Sequence, residues 1–283
     1  MNAAKETKLI MLSELVESFF HKRLVSQRRV SPQTINSYRD SLRLLIVFAS
    51  EQKNIKPILL SIKDLDRELI LSFLDHLEKE RGNSIRTRNA RLVAIRTFFH
   101  HVAYSDPAAM GIAQRVLAIQ GKRTSRRIIG FLREDELGPI LESPDTRTVA
   151  GRRDYTLLHF LARTGARVSE AIQVRPADLH FEKPWQVLLR GKGSKERIVP
   201  LAKDMATLLK TLCNERGLTP DSAAPLFVNA RGHCLSRHGV IYVLEHAVEK
   251  AAKNAPELLK KSISPHILRH TTAMNLLRSG VDL

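Results

Sequence analysis

One stretch near the end of the chain combines a helix start with groups that can hold a phosphate. Ser264 and Pro265 precede a helical pattern, and we expect Ser264 to cap the helix and Pro265 to occupy its first turn. His266 and Arg269 follow, three residues apart on one face. Free backbone N–H groups and the positive end of the helix dipole favour an anion there, and a guanidinium can grip two phosphate oxygens. The stretch therefore predicts a phosphate clamp.

Arg167 and Glu170 form a second candidate pair. Arg167 comes shortly after Gly165, a predicted helix end, and Glu170 is placed to hold it through an i, i+3 contact. A lone arginine–glutamate pair is more often structural than functional. A functional role is therefore inferred only together with the other candidate residues.

A predicted hairpin turn carries two lysines. Lys192 lies between Gly191 and Gly193, which we expect to supply the unusual backbone angles of the turn. Its ammonium group can move there and reach a backbone oxygen of a bound polyanion. Lys195 competes for the same role, and either lysine could belong to an ordinary polar turn.

A metal site is the alternative for the histidines. His266 and His270 stand at i, i+4, as in a metal-dependent phosphodiester hydrolase. Arg269 lies between them, however, and there is no His-Glu-x-x-His pattern. We therefore expect neither a metal nor another cofactor.

Residues 131–283 must supply the elements that position these groups. Hydrophobic spacing predicts two helices within residues 131–163, the second ending at Thr164-Gly165. Two strands, residues 185–190 and 197–201, would form the hairpin around the lysines. Further helices are predicted at about residues 203–216 and 237–254, and from Ser264 to near Gly280.

Residues 1–105 are predicted to form a separate bundle of four helices. Helix starts are expected at Ser31-Pro32, at Asp64 or Asp66, and at Ser84, with a stop at Gly82. On the last helix Leu92, Ile95, Phe99 and Val102 share a buried face. Another face of that helix carries Arg86, Asn89, Arg96 and His100. That face is either solvated or contacts nucleic acid.

The composition favours a duplex nucleic acid as partner. The 283 residues carry a formal net charge of +17, and 43% of them are hydrophobic, enough for real cores. Aromatic residues make up only 5%, which argues against a single-strand binder. Two cysteines without a Cys-x-x-Cys spacing exclude a disulfide scaffold and indicate a cytoplasmic protein. No apolar run is long enough to span a membrane, and no signal peptide is evident.

A dense basic run marks the predicted boundary between the two domains. We expect a basic linker over residues 106–130, between domains at residues 1–105 and 131–283. Its basic side chains are interpreted as both linker and DNA contacts: Lys122, Arg123, Arg126 and Arg127.

Three motifs in this order closely resemble the tyrosine recombinase (phage integrase) family, including Xer-type enzymes. They are Thr164-Gly165-Ala166-Arg167-Val168-Ser169-Glu170, Gly191-Lys192-Gly193-Ser194-Lys195-Glu196-Arg197 and Ser264-Pro265-His266-Ile267-Leu268-Arg269-His270. The first domain, with Ser31-Pro32-Gln33-Thr34 and Arg88-Asn89-Ala90-Arg91-Leu92, resembles the core-binding domain of that family. The resemblance implies a mainly helical protein with a small β-hairpin or sheet. A SAM-like helical core-binding bundle would precede an α+β catalytic domain.

The resemblance also implies a role for each site residue. Arg167 and Arg269 would hold the scissile phosphate, with Glu170 supporting Arg167. His266 would assist proton transfer, and Lys192 would protonate the departing 5′ oxygen. Duplex DNA would be cut and rejoined through a 3′-phosphotyrosyl link without metal or ATP, by protomers that associate on DNA as a synaptic tetramer.

The sequence does not supply two parts of this pattern, the nucleophilic tyrosine and the fifth basic residue, which belongs to a Gly-His motif in the family. The family's tyrosine follows the second arginine motif, whereas the tyrosines here are Tyr38, Tyr104, Tyr155 and Tyr242. We therefore expect a truncated recombinase that binds DNA and does not cleave it. The alternative is a non-catalytic duplex-binding protein, either a regulator or a relic of a recombinase.

Overall fold

The chain folds into two compact units, each with its own hydrophobic core. The computed structural model describes residues 11–28, 30–124, 130–191 and 195–280. The units comprise Met1–Arg126 and Arg127–Leu283. The described residues are mainly helical with one small antiparallel sheet, which confirms the predicted fold class. None of their helices is both long and apolar enough to cross a membrane.

The first unit is a helical bundle in which the second, third and fourth helices begin at side-chain caps. Ser31 and Ser84 accept hydrogen bonds from the backbone N–H groups of Thr34 and Thr87, as their predicted cap positions require. Of the two predicted aspartates, Asp66 caps the third helix. The helices are α1 (Leu12–Ser18, continued as a π-helix over Phe19–Gln27), α2 (Pro32–Lys53), α3 (Arg67–Lys79), α4 (Ile85–Ser105) and α5 (Met110–Leu117).

Helix α5 lies inside the segment predicted as a linker. Asp106 accepts a hydrogen bond from the N–H of Ala108, which starts a tight turn leading into α5. Ala113 and Val116, one helical step apart, are fully buried in the first core. The first half of residues 106–130 is therefore folded against the bundle, because a short apolar stripe outweighs the loop-like Asp106-Pro107 start.

The second unit is a set of helices with a three-stranded sheet of order β1-β2-β3. Strands β2 and β3 form the predicted hairpin, paired with Leu188 opposite Ile198 and Arg190 opposite Glu196. Strand β1 was not predicted, because two residues are too few for a recognisable alternation. The elements are α6 (Glu134–Glu142), α7 (Val149–Thr164), α8 (Val168–Ala171), β1 (Leu179–His180), β2 (Gln186–Arg190), β3 (Glu196–Pro200), α9 (Lys203–Glu215), α10 (Arg237–Ala251) and α11 (Pro265–Arg278).

Helix α11 packs against the end of α7. Gly165 ends α7 in the left-handed region, with φ +57°, as its predicted stop position requires. The Thr272 hydroxyl of α11 donates to the carbonyl of Ala162, at 2.6 Å. This contact brings the first turns of α11 next to the residues that follow Gly165.

The cap predicted for α11 is wrong in one respect. Ser264 occupies the N-cap position, but its hydroxyl accepts no hydrogen bond from the helix. The following proline is not the reason, because Ser31 caps α2 ahead of Pro32; the two serines differ in their backbone, with φ −137° at Ser264 and −61° at Ser31.

Candidate active site

A buried glutamate organises the centre of the site. Arg167 is the N-cap residue of α8, and Glu170 lies in the first turn with its side chain fully shielded from solvent. One oxygen of Glu170 accepts from the Arg167 guanidinium, and the other from the Arg167 backbone N–H, both at 2.8 Å. The predicted contact between the two residues is thus present, and it leaves the Arg167 side chain 52% exposed.

Arg197 is a third member of this group, and sequence reasoning gave it no role. From β3 it donates through both terminal nitrogens to the two oxygens of Glu170, at 3.0 and 2.8 Å. The available signal was its place in the Gly191–Arg197 motif. Arg167, Glu170 and Arg197 are called the Glu170 cluster below.

The charge state of Glu170 follows from these contacts. Burial by itself would raise the pKa of the carboxyl, but hydrogen bonds from Arg197 and Arg167 outweigh it and hold the pKa at about 2. Glu170 is therefore a permanent anion near neutral pH, shared between two guanidinium groups.

Arg269 reaches the same place from α11. Its guanidinium donates to the carbonyl of Gly165, just before Arg167. Its pKa is lowered, first by burial and then by the positive charges of Arg167 and Arg197. The effect of those charges places the three guanidiniums within electrostatic reach of one another. Arg167 and Arg269, distant in sequence, thus converge on one place.

The two histidines differ in exposure. His266 is exposed in the first turn of α11, one turn ahead of Arg269, and His270 is half-buried. Within the described residues, no three side chains of His, Cys, Asp or Glu are grouped so that they could hold a metal ion. The chemistry available at this place is that of cations and an imidazole.

The lysine hairpin is described only at its two ends. Lys192 lies outside the described residues, whereas Lys195 is exposed and its carbonyl accepts from the N–H of Gly191, at 2.7 Å. The φ of Gly191 is not in the left-handed region, so the predicted need for unusual angles is wrong for this glycine. Gly191 is required for space instead, since a Cβ there would lie 3.1 Å from Glu170 Oε1.

Two predicted DNA contacts of the first unit are engaged in a contact of their own. The side-chain amide of Asn89 donates to the carbonyl of Lys122 at 2.7 Å and accepts from its N–H at 3.1 Å. The Lys122 ammonium lies 2.8 Å from Glu78, which also pairs with Arg88 at 2.7 Å. Glu78, Arg88 and Lys122, called the Glu78 cluster below, fasten the chain after α5 to α3 and α4. Sequence reasoning did not identify Glu78 or Arg88.

The other predicted DNA contacts are less constrained. Arg86 and Arg123 are exposed, and Arg96 is half-buried on α4. Arg126 and Arg127 lie outside the described residues.

Sequence profiles identify the class to which this fold and this arginine site belong. The profile described as "Phage integrase family" matches residues 130–283, and "Phage integrase, N-terminal SAM-like domain" matches residues 16–104. The class is therefore that of the DNA breaking-and-rejoining enzymes with a SAM-like first domain. The chain belongs to the phage integrase family of tyrosine recombinases.

Individual relatives agree with the profiles. The chain is 50% identical over 262 residues to a Sinorhizobium fredii protein named as an integrase/recombinase, y4rD, with 92% of this chain and 93% of that protein covered. It is 33% identical over 269 residues to tyrosine recombinase XerC of Pelotomaculum thermopropionicum, covering 91% and 83%.

Solved structures share the fold. The XerH site-specific recombinase, in a post-cleavage complex with a palindromic difH substrate, superposes with a TM-score of 0.70 at 25% identity. That match covers 90% of this chain and 72% of XerH. The Tn1549 transposon integrase in complex with circular intermediate DNA has the same fold, with a TM-score of 0.69 at 19% identity, covering 96% and 88%.

Proposed function

We propose that the second unit holds one scissile phosphodiester of duplex DNA between Arg167 and Arg269 during site-specific recombination. The observation that carries this proposal is the convergence of the two guanidiniums. Arg167 is fixed by Glu170 and still half-exposed, and Arg269 is hydrogen-bonded to the carbonyl of Gly165. Fixed guanidiniums of this kind stabilise the charge that develops on non-bridging phosphate oxygens.

Proton transfer is assigned to groups next to this pair. His266 is exposed one turn before Arg269, so its imidazole can bind the same phosphate and exchange a proton. Lys192 is proposed as the acid that protonates the departing 5′ oxygen, with Lys195 as its rival. No metal ion is required, because the guanidiniums supply the positive charge.

Duplex DNA is proposed as the partner of both units. The net charge of +17 supports counterion release on binding, and Arg86, Arg96 and Arg123 are proposed as backbone contacts of the first unit. Arg126, Arg127 and Lys195 would add contacts in and beyond the basic run.

Asn89 and Lys122 would have to exchange their present contacts for DNA. XerH, bound to its difH substrate, supports this partner. Protomers would associate on the DNA, and the place of action would be the cytoplasm.

The polypeptide of 283 residues is proposed to bind DNA without cleaving it. Of its four tyrosines, Tyr155 on α7 lies 3.3 Å from Glu142 and packs on the ring of His159. Tyr242 on α10 is exposed and stacks on His246. Tyr38 and Tyr104 belong to the first unit. The partners described for Tyr155 and Tyr242 are not residues of the arginine site, and this favours a non-catalytic DNA-binding function as the second candidate.

One experiment tests the phosphate assignment and the lack of cleavage together. A duplex that binds the chain is selected from a random pool, and single phosphates are then replaced in turn by neutral methylphosphonates. One replacement should weaken the wild type strongly and the Arg167→Gln variant hardly at all, since the contact is already lost there. A nick placed beside that phosphate should yield no covalent adduct. If no position distinguishes the two proteins, the assignment of Arg167 is wrong, and a stable adduct would show that one of the four tyrosines is a nucleophile.

A further inference from the structure

We propose that Arg197 is a positioning residue of the phosphate site. It acts through the buried carboxylate of Glu170 and leaves the guanidinium of Arg167 available to a phosphodiester. The inference rests on the proposed function, because it takes Arg167 to be a phosphate ligand. The inference extends the proposed site to a residue of β3 and explains why an arginine occupies that position.

The first step is the distribution of hydrogen bonds around Glu170. Arg197 engages both carboxylate oxygens with its two terminal nitrogens, a bidentate arrangement. Arg167 contributes one side-chain bond, from a single terminal nitrogen. Of the three side-chain bonds to Glu170, Arg197 therefore makes two and Arg167 one, and the Arg167 side chain remains 52% exposed.

The second step is the balance of charge. Glu170 has no exposed side-chain surface, so its negative charge must be compensated by neighbouring groups. If Arg197 were absent, Arg167 would be the remaining direct partner and would be drawn into a full ion pair. The two charges would then largely cancel, and the pair would attract a phosphate weakly. With Arg197 present, two arginines face one carboxylate, and a positive charge remains for the ligand.

The third step is the connection to the lysine hairpin. Arg197 is in the strand that follows the turn, and Gly191, at the other end of the turn, approaches Glu170 so closely that a Cβ would contact it. The ion pair thus ties the end of the hairpin at Arg197 to Glu170 of α8, and the end at Gly191 lies close to the same carboxylate.

The test uses a charge rescue in the full 283-residue chain. The probe is the dinucleotide dTpdT, whose phosphodiester keeps one negative charge between pH 5 and 8, and binding is followed by NMR of the arginine Nε–H groups. Arg197→Gln should weaken binding about tenfold, as expected for the loss of one charge-assisted contact. Adding Glu170→Gln should restore it to within about twofold, because the carboxylate no longer captures Arg167.

A matched control comes from the same hairpin. Arg190 on β2 also pairs with a buried carboxylate, that of Asp178, and it is 49% exposed. Arg190→Gln therefore removes a comparable ion pair and should leave dTpdT binding unchanged. A purely structural role for Arg197 predicts equal losses in both variants and no rescue.

A pH profile separates positioning from structure. The charged groups that face Glu170 are Arg167, Arg197 and, from α11, Arg269. Removal of Arg197 raises the pKa of Glu170, so the affinity of Arg197→Gln relative to the wild type should increase as the pH is lowered, because a protonated Glu170 releases Arg167. The ratio of the two affinities is the readout, because His266 is present in both proteins and the wild-type Glu170 carboxyl, with a pKa of about 2, stays charged.

Each outcome has one meaning. If Arg167→Gln does not weaken dTpdT binding, the proposed phosphate site is wrong, and the positioning role of Arg197 is wrong as well. If Arg167→Gln weakens binding and Arg197→Gln does not, only the role of Arg197 is wrong. If Arg197→Gln does not fold, the double variant, which buries no unpaired carboxylate, decides. Wild-type affinity in that variant supports the inference, and an affinity as low as that of Arg167→Gln overturns it.

Discussion

The Glu170 cluster and the Glu78 cluster have the same chemical composition, but they differ in which charged group is buried. Each places one carboxylate between two cations. In the Glu78 cluster the arginine is the buried member. Arg88 is only 4% exposed, and its charge is compensated by Glu78 within the folded unit. In the Glu170 cluster the carboxylate is the buried member, and both guanidiniums are open to solvent, Arg167 at 52% and Arg197 at 36%. The exposure of the arginine therefore decides whether its guanidinium can contact a ligand: that of Arg88 is shielded from solvent, and that of Arg167 is not.

The largest expected effect breaks the Glu78 cluster. Glu78→Gln should destabilise the first unit by about 3 kcal/mol, because the buried Arg88 loses its counter-charge. Urea unfolding followed by circular dichroism reports both units, whereas Trp185, the single tryptophan, reports the second unit alone. The circular dichroism transition should shift, and the fluorescence transition should not. Lys122→Ala is the control, and it should cost under about 1 kcal/mol because Lys122 is 46% exposed.

The second effect uses pH to weaken the Glu170 cluster. The pKa of Glu170 is lowered from 4.5 to about 2 on folding, so its contribution is complete above the unfolded value. About 3 kcal/mol should therefore be lost from the second unit as the pH falls from about 5 towards 2. Trp185 fluorescence in urea at a series of pH values measures the loss.

Glu170→Gln and Asp145→Asn give the comparison for that measurement. Glu170→Gln should remove this part of the pH dependence. Asp145 also has a pKa of about 2, held there by hydrogen bonds from Arg147, but it lies on the surface. Asp145→Asn should leave the pH dependence of the second unit nearly intact, and an equal effect of both variants would contradict the special status of Glu170.

The third effect separates ligand binding from stability with one arginine in each cluster. Arg167→Gln should lower affinity for the selected duplex about tenfold and cost under about 1 kcal/mol of stability, because the side chain is half-exposed. Arg88→Gln should do the reverse, with a clear loss of stability and near-normal affinity. Fluorescence anisotropy at fixed salt, together with urea unfolding, measures both quantities. Parallel losses in both variants would abolish the distinction between the clusters.

The smallest effect concerns two glycines with positive φ, one in each unit. Gly82 has φ +61° and Gly165 has φ +57°, so replacement of either by alanine should cost about 1 kcal/mol. Only Gly165→Ala should also weaken DNA binding, because a backbone that relaxes from φ +57° would move the carbonyl that accepts the hydrogen bond of Arg269. Equal affinities in the two variants would argue against that contact in the DNA-bound protein.

Local chemistry explains what could be predicted from the sequence. The caps at Ser31 and Ser84, the end of α7 at Gly165 and the β2–β3 hairpin depend on residues within a few positions, and these predictions are confirmed. The Arg167–Glu170 contact is likewise three residues long, and the structure contains it.

The features that were missed depend on contacts between distant residues. Arg197 lies 27 positions from Glu170, and the pairing of Glu78 with Lys122 spans 44 positions, so neither contact leaves a pattern within one element. The space restriction at Gly191 has the same origin, because it comes from a side chain on α8. Only the three-dimensional packing reveals them.

The position of α11 in the chain has a consequence for how the site comes into being during translation. Arg167, Glu170 and Arg197 lie on α8 and β3, while Arg269 arrives with α11, after two further helices. A ribosome releases the chain in order, at roughly 5–20 residues per second, and elements fold as they emerge. The nascent chain therefore exposes one half of the arginine pair before the other exists. Arg269 joins Arg167 only after α9 and α10 have been synthesised, so the arginine pair is completed later than the Glu170 cluster.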